Sequence, residues 1–288
     1  MKNNNDKILL IIALIFILVG TGIFLYPSIS NYLEEKNQVE AIRNYDKLVV
    51  NLDKAGLQEE KDKAQIYNEN LSGDPVHDPF VQGSGYALPE NYKEVLNFSG
   101  DGVMGYVDIP EINVYLPIYH GTSDDVLEKG VGHIQNTSLP IGGSSTHSVL
   151  TGHTGLPNAE LFTRLDELEV GDIFYIHVLD EVLTYKIYET KVILPDKIDE
   201  LQINNGEDLI TLVTCTPYGV NSHRLLVKAR RTEYEEYNKL ELSKDEEVKQ
   251  NKNNKQYYLT GIQIGTVVLM VVLLIIILII ILIKRRKN

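Results

Sequence analysis

Two long apolar runs lie near the ends of the chain. The first extends from Ile8 to Tyr26 and the second from Ile264 to Ile283, and neither contains a charged residue. Each is close to the ~20 residues that a helix needs to cross a bilayer. Lys2 and Lys7 precede the first run and the basic residues 284–287 close the second, and such charges favour the cytoplasmic side. The pattern therefore predicts a transmembrane helix at each end, with the residues between them outside the cell.

The first run has a second interpretation. An apolar segment behind a basic N-terminus is also typical of the core of a cleaved signal peptide. No small-x-small cleavage site follows this run, and Tyr26 and Pro27 end it, which favours an uncleaved anchor. Under both interpretations, the middle of the chain lies outside the cell.

The exported part begins with a polar segment, residues 27–72, that carries apolar residues at helical spacing. These are Ile42, Tyr45, Val49 and Leu52. They predict one or two amphipathic helices whose apolar stripe packs on the following domain. Residues 72–85 are rich in glycine and proline and predict a long loop or a linker.

Short runs of β-type residues begin at Val103. They predict strands at 103–109, 113–118, 148–151, 172–178, 183–194, 208–214 and 224–230. A helix is predicted over Asn158–Leu168, with Leu161, Phe162 and Leu165 on one face. Many short strands at this spacing indicate a mainly β domain, a barrel or a sandwich with short helical insertions. After Thr232 the chain becomes charged and predicts a stalk up to the second span.

The composition of the chain argues against several kinds of partner. The chain has 40 acidic and 27 basic residues and a net charge of -13, which argues against a nucleic-acid partner. With a single cysteine it has no intramolecular disulfide. It lacks a glycine-rich phosphate loop and a Cys/His ladder, and His147 and His153 give only a weak metal signal on a strand and turn. We therefore expect neither a cofactor nor a metal.

Cys215 is the first candidate for chemistry. A β-branched run, Leu209–Thr214, delivers it to the C-terminal end of a predicted strand, and Arg224 begins the next strand. If the two strands pair, a guanidinium lies beside a sulfur and can stabilise charge during acyl transfer. The alternative is a buried structural cysteine.

A base for such chemistry is best supplied by His153, at a strand end in a glycine-rich turn. The alternative for this residue is a loop histidine bonded to backbone. His223 is a rival base, but neighbours on a strand point to opposite faces, so His223 and Arg224 should not both address Cys215. His120 and His133 are expected in loops.

Several motifs in one order resemble the sortases, and within them the class C, pilus-assembling enzymes. The three that carry the candidate residues are Thr151–Gly155, Thr211–Gly219 and Asn221–Leu226. Four further motifs belong to the same match: Gly105–Pro110, Leu116–Thr122, Val131–Ile134 and Thr137–Pro140. The resemblance extends from Met104 to about Arg231. A C-terminal membrane anchor also fits class C.

The resemblance implies a sortase-type β-barrel and assigns three roles. Cys215 is the nucleophile, His153 the general acid/base, and Arg224 the oxyanion or substrate clamp. The implied reaction cleaves an LPXTG-type sorting signal between Thr and Gly through a thioacyl enzyme and transfers it to a pilin lysine. Many class C relatives have an arginine where this chain has Thr154, which puts a charge-based substrate contact there in doubt.

A lid is implied by the same resemblance. Asp78, Pro79 and Phe80 are similar to the Asp-Pro-aromatic lid of class C sortases, with the carboxylate near the arginine and the ring over the cysteine. Proline stiffens such a hook and a carboxylate pairs with a guanidinium. The alternative is a turn followed by a core aromatic residue.

The sequence thus predicts the following segments along the chain: a cytoplasmic N-terminus (1–7), a transmembrane anchor or signal peptide (8–26), an extracellular helical segment (27–72), a lid-bearing loop region (73–102), a catalytic barrel (103–232), a charged stalk (233–258), a transmembrane helix (262–283) and a basic tail (284–288). The predicted function is a membrane-anchored extracellular transpeptidase acting on LPXTG-type surface or pilin proteins. Two alternatives stay open: a cell-wall-anchoring sortase that uses a peptidoglycan amine, and a non-catalytic tethered scaffold.

Overall fold

The computed structural model describes residues 2–71, residues 92–233 and Gly265. It divides into two units, and of the described residues the first includes those up to Leu33 and the second those from Glu34 to 233. The second unit contains the whole β domain.

The N-terminal helix, α1, extends over Lys2–Asn51 and includes the first apolar run. The helix continues beyond the end of the apolar run at Tyr26 and includes Pro27. Proline removes only one backbone donor from a helix, and the turns on either side stay helical here. Ile15–Asn51 is long enough, and includes a segment apolar enough at mean hydropathy 1.4, to cross a bilayer. Among the described residues it is the one such helix, and the predicted span 262–283 lies outside them apart from Gly265.

Two helices form the segment before the barrel, as the spacing predicts. After α1, α2 extends over Lys54–Glu69, and the Asp53 side chain caps it by accepting a 2.8 Å hydrogen bond from the Gly56 amide. On α1, Ile42, Tyr45 and Val49 are buried in one apolar cluster with residues of the first strand. The predicted stripe therefore packs on the following domain.

A closed eight-stranded barrel forms the rest of the unit. Its strands are β1 (Val103–Ile109), β2 (Val114–His120), β3 (Val131–His133), β4 (Thr146–Thr151), β5 (Ile173–Val178), β6 (Glu181–Ile193), β7 (Asp208–Thr216) and β8 (His223–Arg231). Their order around the barrel is β1-β2-β3-β4-β7-β8-β6-β5. The pairs β2–β3 and β4–β7 are parallel, and the other pairs are antiparallel. The mainly β prediction is confirmed, and of the two predicted architectures the barrel is the correct one.

Each predicted strand is present with ends shifted by up to a few residues, and β3 is an addition to the prediction. This strand is only three residues long and has glycine at its centre, so its sequence carries no alternation. The expectation that His120 and His133 lie in loops is wrong. His120 is the last residue of β2, and His133 is the last residue of β3.

The predicted helix Asn158–Leu168 is also wrong. The chain forms turns there, followed by a single 3₁₀ turn at Leu165–Glu167. Leu161 has a φ of 41°, which no right-handed helix accepts, and this bend lets Phe162 and Leu165 enter the barrel core. The apolar spacing was real, but burial in the core rather than a helix accounts for it.

Candidate active site

Cys215 and Arg224 lie side by side on neighbouring strands. Cys215 is the penultimate residue of β7, Arg224 is the second residue of β8, and the two are direct partners in the antiparallel register. Side chains at such paired positions are typically about 5 Å apart at Cβ and share a face of the sheet. Both are nearly buried, with 8% exposure for Cys215 and 6% for Arg224. The predicted strand pairing is therefore confirmed.

The two residues belong to the outer face of the barrel. Ile210 and Leu212 of β7 lie in the main core, whereas the alternating residue Val213 lies in a separate small cluster with Leu226 of β8. Since side chains alternate along a strand, Cys215 shares the face of Val213. The thiol therefore lies on the outer face of the barrel, near the C-terminal end of β7, and is not enclosed in the barrel core.

His153 lies just beyond the end of β4, and β4 is the neighbour of β7, the strand that carries Cys215. In the parallel register Thr151 pairs with Val213, and two further residues along each chain bring position 153 beside position 215. Two hydrogen bonds fasten this corner to β7: the Gly152 amide donates to the Val213 carbonyl at 3.2 Å, and the Thr214 hydroxyl donates to the Gly152 carbonyl at 2.7 Å. The fold therefore brings the three predicted residues to one end of the β4–β7–β8 face.

The turn after His153 is held from its other side. The Phe162 amide donates to the His153 carbonyl at 3.1 Å, and a Cβ on Gly152 would lie 2.9 Å from the Phe162 ring. Only glycine allows this close approach between backbone and ring. The buried Phe162 thus fixes the backbone from which His153 projects.

Burial lowers the pKa of His153, and the carboxylates of Asp124 and Glu128 partly oppose that shift. Asp124 opens a short helix, α3 (Asp124–Leu127), between β2 and β3. A pKa below the ordinary value of 6.5 keeps the imidazole mainly neutral at pH 7. A neutral, half-exposed imidazole is able to accept a proton from a reacting group.

The Arg224 guanidinium is oriented by the turn between β7 and β8. Its Nη1 donates to the carbonyls of Asn221 at 3.2 Å and His223 at 3.1 Å. His223 pairs with Thr216, one position further along, and its Nδ1 lies 2.9 Å from the Ser222 hydroxyl. Because alternate residues point to opposite faces, this register does not direct His223 toward Cys215.

Three other histidines have internal partners. His133 is fully buried, with its ring nitrogens 2.9 Å from the Tyr92 hydroxyl and the Ser138 carbonyl, and burial lowers its pKa to about 3. His120 contacts the carbonyls of Val95 and Gly102, and His147 contacts Gln202 and Thr211, and burial lowers the pKa of both. Since their ring nitrogens are used for structure, His153 stays the best candidate base among the described histidines.

Exposed apolar side chains surround this end of the sheet, and the sequence prediction did not identify them. They are Val192 and Leu194 at the end of β6, and Tyr218 and Val220 in the β7–β8 turn. Tyr218 also lies against the turn after His153, since a Cβ on Gly155 would approach its ring to 2.9 Å. In the sequence, Val192 and Leu194 could have been found as the apolar end of a strand that otherwise alternates. Tyr218 and Val220 could have been found as apolar residues inside a predicted turn.

Asp78, Pro79 and Phe80 of the predicted lid lie outside the described residues. A cavity of about 780 Å³ opens at the opposite end of the strands, where its lining includes Asp208 at the start of β7 and Arg231 at the end of β8. The cavity is separated from Cys215 by most of the length of β7 and is not part of this site.

Comparison with protein families defines the class of protein. A family model described as the sortase domain matches residues 107–232, which include the last three residues of β1, all of β2 to β8 and all three candidate residues. Proteins of this class are cysteine transpeptidases, and the described part of the chain contains one cysteine, Cys215.

The chain belongs to the sortase family. It is 44% identical to the solved structure of Streptococcus pneumoniae sortase C, with a TM-score of 0.63, covering 68% of this chain and 97% of that one. Sortase C-1 of Actinomyces oris is 46% identical, with a TM-score of 0.59 and coverage of 62% and 98%. Sortase A of Staphylococcus aureus is 29% identical over 223 residues, which are 76% of this chain and 91% of the relative. The predicted family is confirmed, and the similar solved structures are class C pilus sortases.

Proposed function

We propose that this protein is a pilin-polymerising transpeptidase in which Cys215, His153 and Arg224 perform the chemistry. Strand register is the observation that supports these roles: Cys215 pairs with Arg224, and β4 runs parallel to β7 with His153 just beyond its end. The pilin assignment is supported by the likeness to class C enzymes, one of which is described with pilin substrate specificity.

In the first half of the reaction, the Cys215 sulfur attacks the threonine carbonyl of an LPXTG-type sorting signal. The thiolate is the attacking form: the thiol proton passes to His153, and the Arg224 cation beside the sulfur favours the anion. Arg224 is placed to stabilise the oxyanion, a role typically worth about 3–4 kcal/mol of barrier. The bond to the glycine nitrogen breaks, His153 supplies a proton to the leaving amine, and a thioester forms on Cys215.

In the second half, a pilin lysine amine attacks the thioester carbonyl. His153 takes the proton of the attacking amine, the carbon–sulfur bond breaks, and the product is an isopeptide bond with the thiol regenerated. A peptidoglycan amine in place of the lysine would give wall anchoring by the same steps. The acceptor therefore distinguishes these two functions.

We further propose that the exposed Leu194, Tyr218 and Val220 contact the apolar part of the sorting signal. Tyr218 and Val220 lie in the turn between Cys215 and Arg224, Leu194 follows Ile193, which pairs with Arg224, and an aliphatic peptide segment requires such exposed apolar surfaces. The apolar N-terminal helix supports a membrane anchor with the barrel outside the cell. The second anchor and the lid at Asp78–Phe80 are proposed from sequence alone.

The test uses the full-length chain in detergent with an LPXTG peptide and two acceptors, a pilin carrying its lysine and a peptidoglycan-type amine. We expect a peptide adduct on Cys215 by mass spectrometry and an isopeptide-linked pilin product. Cys215→Ala removes both, and His153→Gln lowers kcat/KM by at least about 100-fold, since acid/base catalysis contributes about 10²–10⁴-fold.

His223→Gln is the matched control for His153→Gln, because it removes a nearby histidine that the register directs away from the thiol. It should retain kcat/KM within about threefold. Turnover by Cys215→Ala at the wild-type rate would exclude the nucleophile. Transfer only to the peptidoglycan amine would replace pilin assembly by wall anchoring, and an intact fold with no adduct would favour a scaffold.

A further inference from the structure

The connection between β6 and β7, residues 194–207, is fastened to the outer face of the barrel by three consecutive residues. Its 3₁₀ turn is Ile198–Leu201. The Glu200 carboxylate forms ion pairs with Lys191 of β6 and Lys228 of β8. Leu201 packs in the small outer cluster, and the Gln202 carbonyl lies 2.8 Å from His147 Nδ1 of β4. An ion pair, an apolar contact and a hydrogen bond thus hold one turn.

Lys228 is the unusual member of this set because it is a buried cation. Its side chain is only 8% exposed, and Glu189 lies 3.3 Å from its ammonium in addition to Glu200. Burial lowers the pKa of Lys228, but the two carboxylates more than offset this and the pKa is raised. Bonds to Lys191 and Lys228 lower the pKa of Glu200 to about 2, so the pair is ionised at neutral pH. A buried charge that loses its partner is strongly unfavourable, which fixes the geometry of this contact.

The fastened turn adjoins the candidate active site. In the β6–β8 register Ile193 pairs with Arg224, so the connection leaves the sheet at the level of the guanidinium. It then turns back so that Leu201 packs against Val213 and Leu226, the pair next to Cys215 and Arg224 on the same face. The exposed Leu194 lies at the start of this path. Residues 194–207 therefore border one side of the Cys215–Arg224 pair.

We propose that Glu200 and Lys228 form an ionic clasp that preorders residues 194–207 as one wall of the groove for an extended, apolar peptide. This rests on the proposed function, and it makes Glu200 and Lys228 positioning residues rather than catalytic ones. A wall that is ordered before binding costs the substrate no ordering entropy, so the clasp acts on KM. Lys191 shares the carboxylate but is half-exposed, and it contributes little because solvent screens it.

The test compares Lys228→Met, Glu200→Gln and the double variant with Lys191→Met as the matched control, each in the full-length chain. For the first three we expect KM for an LPXTG peptide to rise by about fivefold or more, with kcat and the rate of Cys215 alkylation by iodoacetamide within about twofold. Amides in residues 196–203 should exchange hydrogen at least about tenfold faster, because local opening is easier. In the double variant, KM and the exchange rates should rise no further than in the single variants. Lys228→Arg keeps the cation and should retain most of the wild-type KM and exchange protection.

The outcomes separate the clasp from simple stability and from the proposed function. Unchanged KM and unchanged exchange in Lys228→Met would refute the clasp. Equal losses in kcat and in alkylation would also refute it, since they would indicate general damage to the site. If wild-type protein cleaves no sorting peptide, the proposed function fails, and the exchange measurement alone still decides whether the clasp orders this wall.

Discussion

The hydroxyl of Thr214 fastens the corner that carries His153, and its removal is the sharpest test of this site. The hydroxyl donates to the Gly152 carbonyl at 2.7 Å, between the residue before Cys215 and the residue before His153. Thr214→Val keeps the shape of the side chain but removes the donor. The change leaves a buried carbonyl without this donor, which typically costs about 1–3 kcal/mol. We expect the free energy of unfolding to fall by about 1–2 kcal/mol.

Activity should fall beyond what stability explains, because His153 is held through this backbone. Misplacing a catalytic group by about 1 Å costs on the order of 100-fold, so we expect a drop of roughly 10- to 100-fold in kcat at conditions where the variant is fully folded. Urea denaturation gives the stability, and steady-state turnover of a sorting peptide gives kcat. Thr214→Ser keeps the donor and should retain most of both.

Thr184→Val is the matched control for this experiment. Thr184 is buried on β6, and its hydroxyl has no hydrogen-bond partner among the described residues. Removing that hydroxyl should therefore leave stability unchanged or slightly raised, since no bond is lost. If Thr214→Val behaves like Thr184→Val in both assays, the hydrogen bond does not position His153 and the reasoning is refuted.

Two further predictions concern acid stability and the lid. Burial holds the pKa of His133 at about 3, below the unfolded value of 6.5, so its contribution to stability is present above pH 6.5 and is lost as the pH falls toward 3. We expect this residue to account for a loss of about 1–2 kcal/mol between pH 6.5 and pH 5 in denaturation curves, and His133→Gln should flatten that slope, whereas an unchanged slope would contradict the assignment. Asp78→Ala combined with Phe80→Ala should make Cys215 react faster with a thiol reagent, and an equal labelling rate in wild type and variant would remove the lid.

Much of the fold was predictable because local patterns and burial agree along most strands. The first strand, Val103–Ile109, has the predicted bounds, and Leu209–Thr214 lies within β7 as its β-branched composition indicates. The stripe at Ile42, Tyr45 and Val49 is buried as its helical spacing predicts. Where pattern and burial disagree, prediction fails: the apolar spacing around Leu161 and Phe162 resembles a helix, yet a turn with positive φ carries those side chains into the core.

Part of the candidate site was likewise predictable from the sequence, and part was not. Sequence identified Cys215, His153 and Arg224 as residue types suited to acyl transfer, and it placed Cys215 and Arg224 on successive strands. It gave no sign of the Glu200–Lys228 contact or of the Thr214 hydroxyl bond, because each depends on partners far apart in the chain.

By itself, the amino-acid order determined the apolar ends, the strand-forming stretches and the single thiol with its neighbouring arginine, since each is written in local composition and period. Only the tertiary structure decided that β4 lies beside β7 in parallel register, which brings position 153 to position 215. The physical reason is that barrel closure selects strand neighbours by burying the apolar faces of all eight strands together. No local segment contains that information.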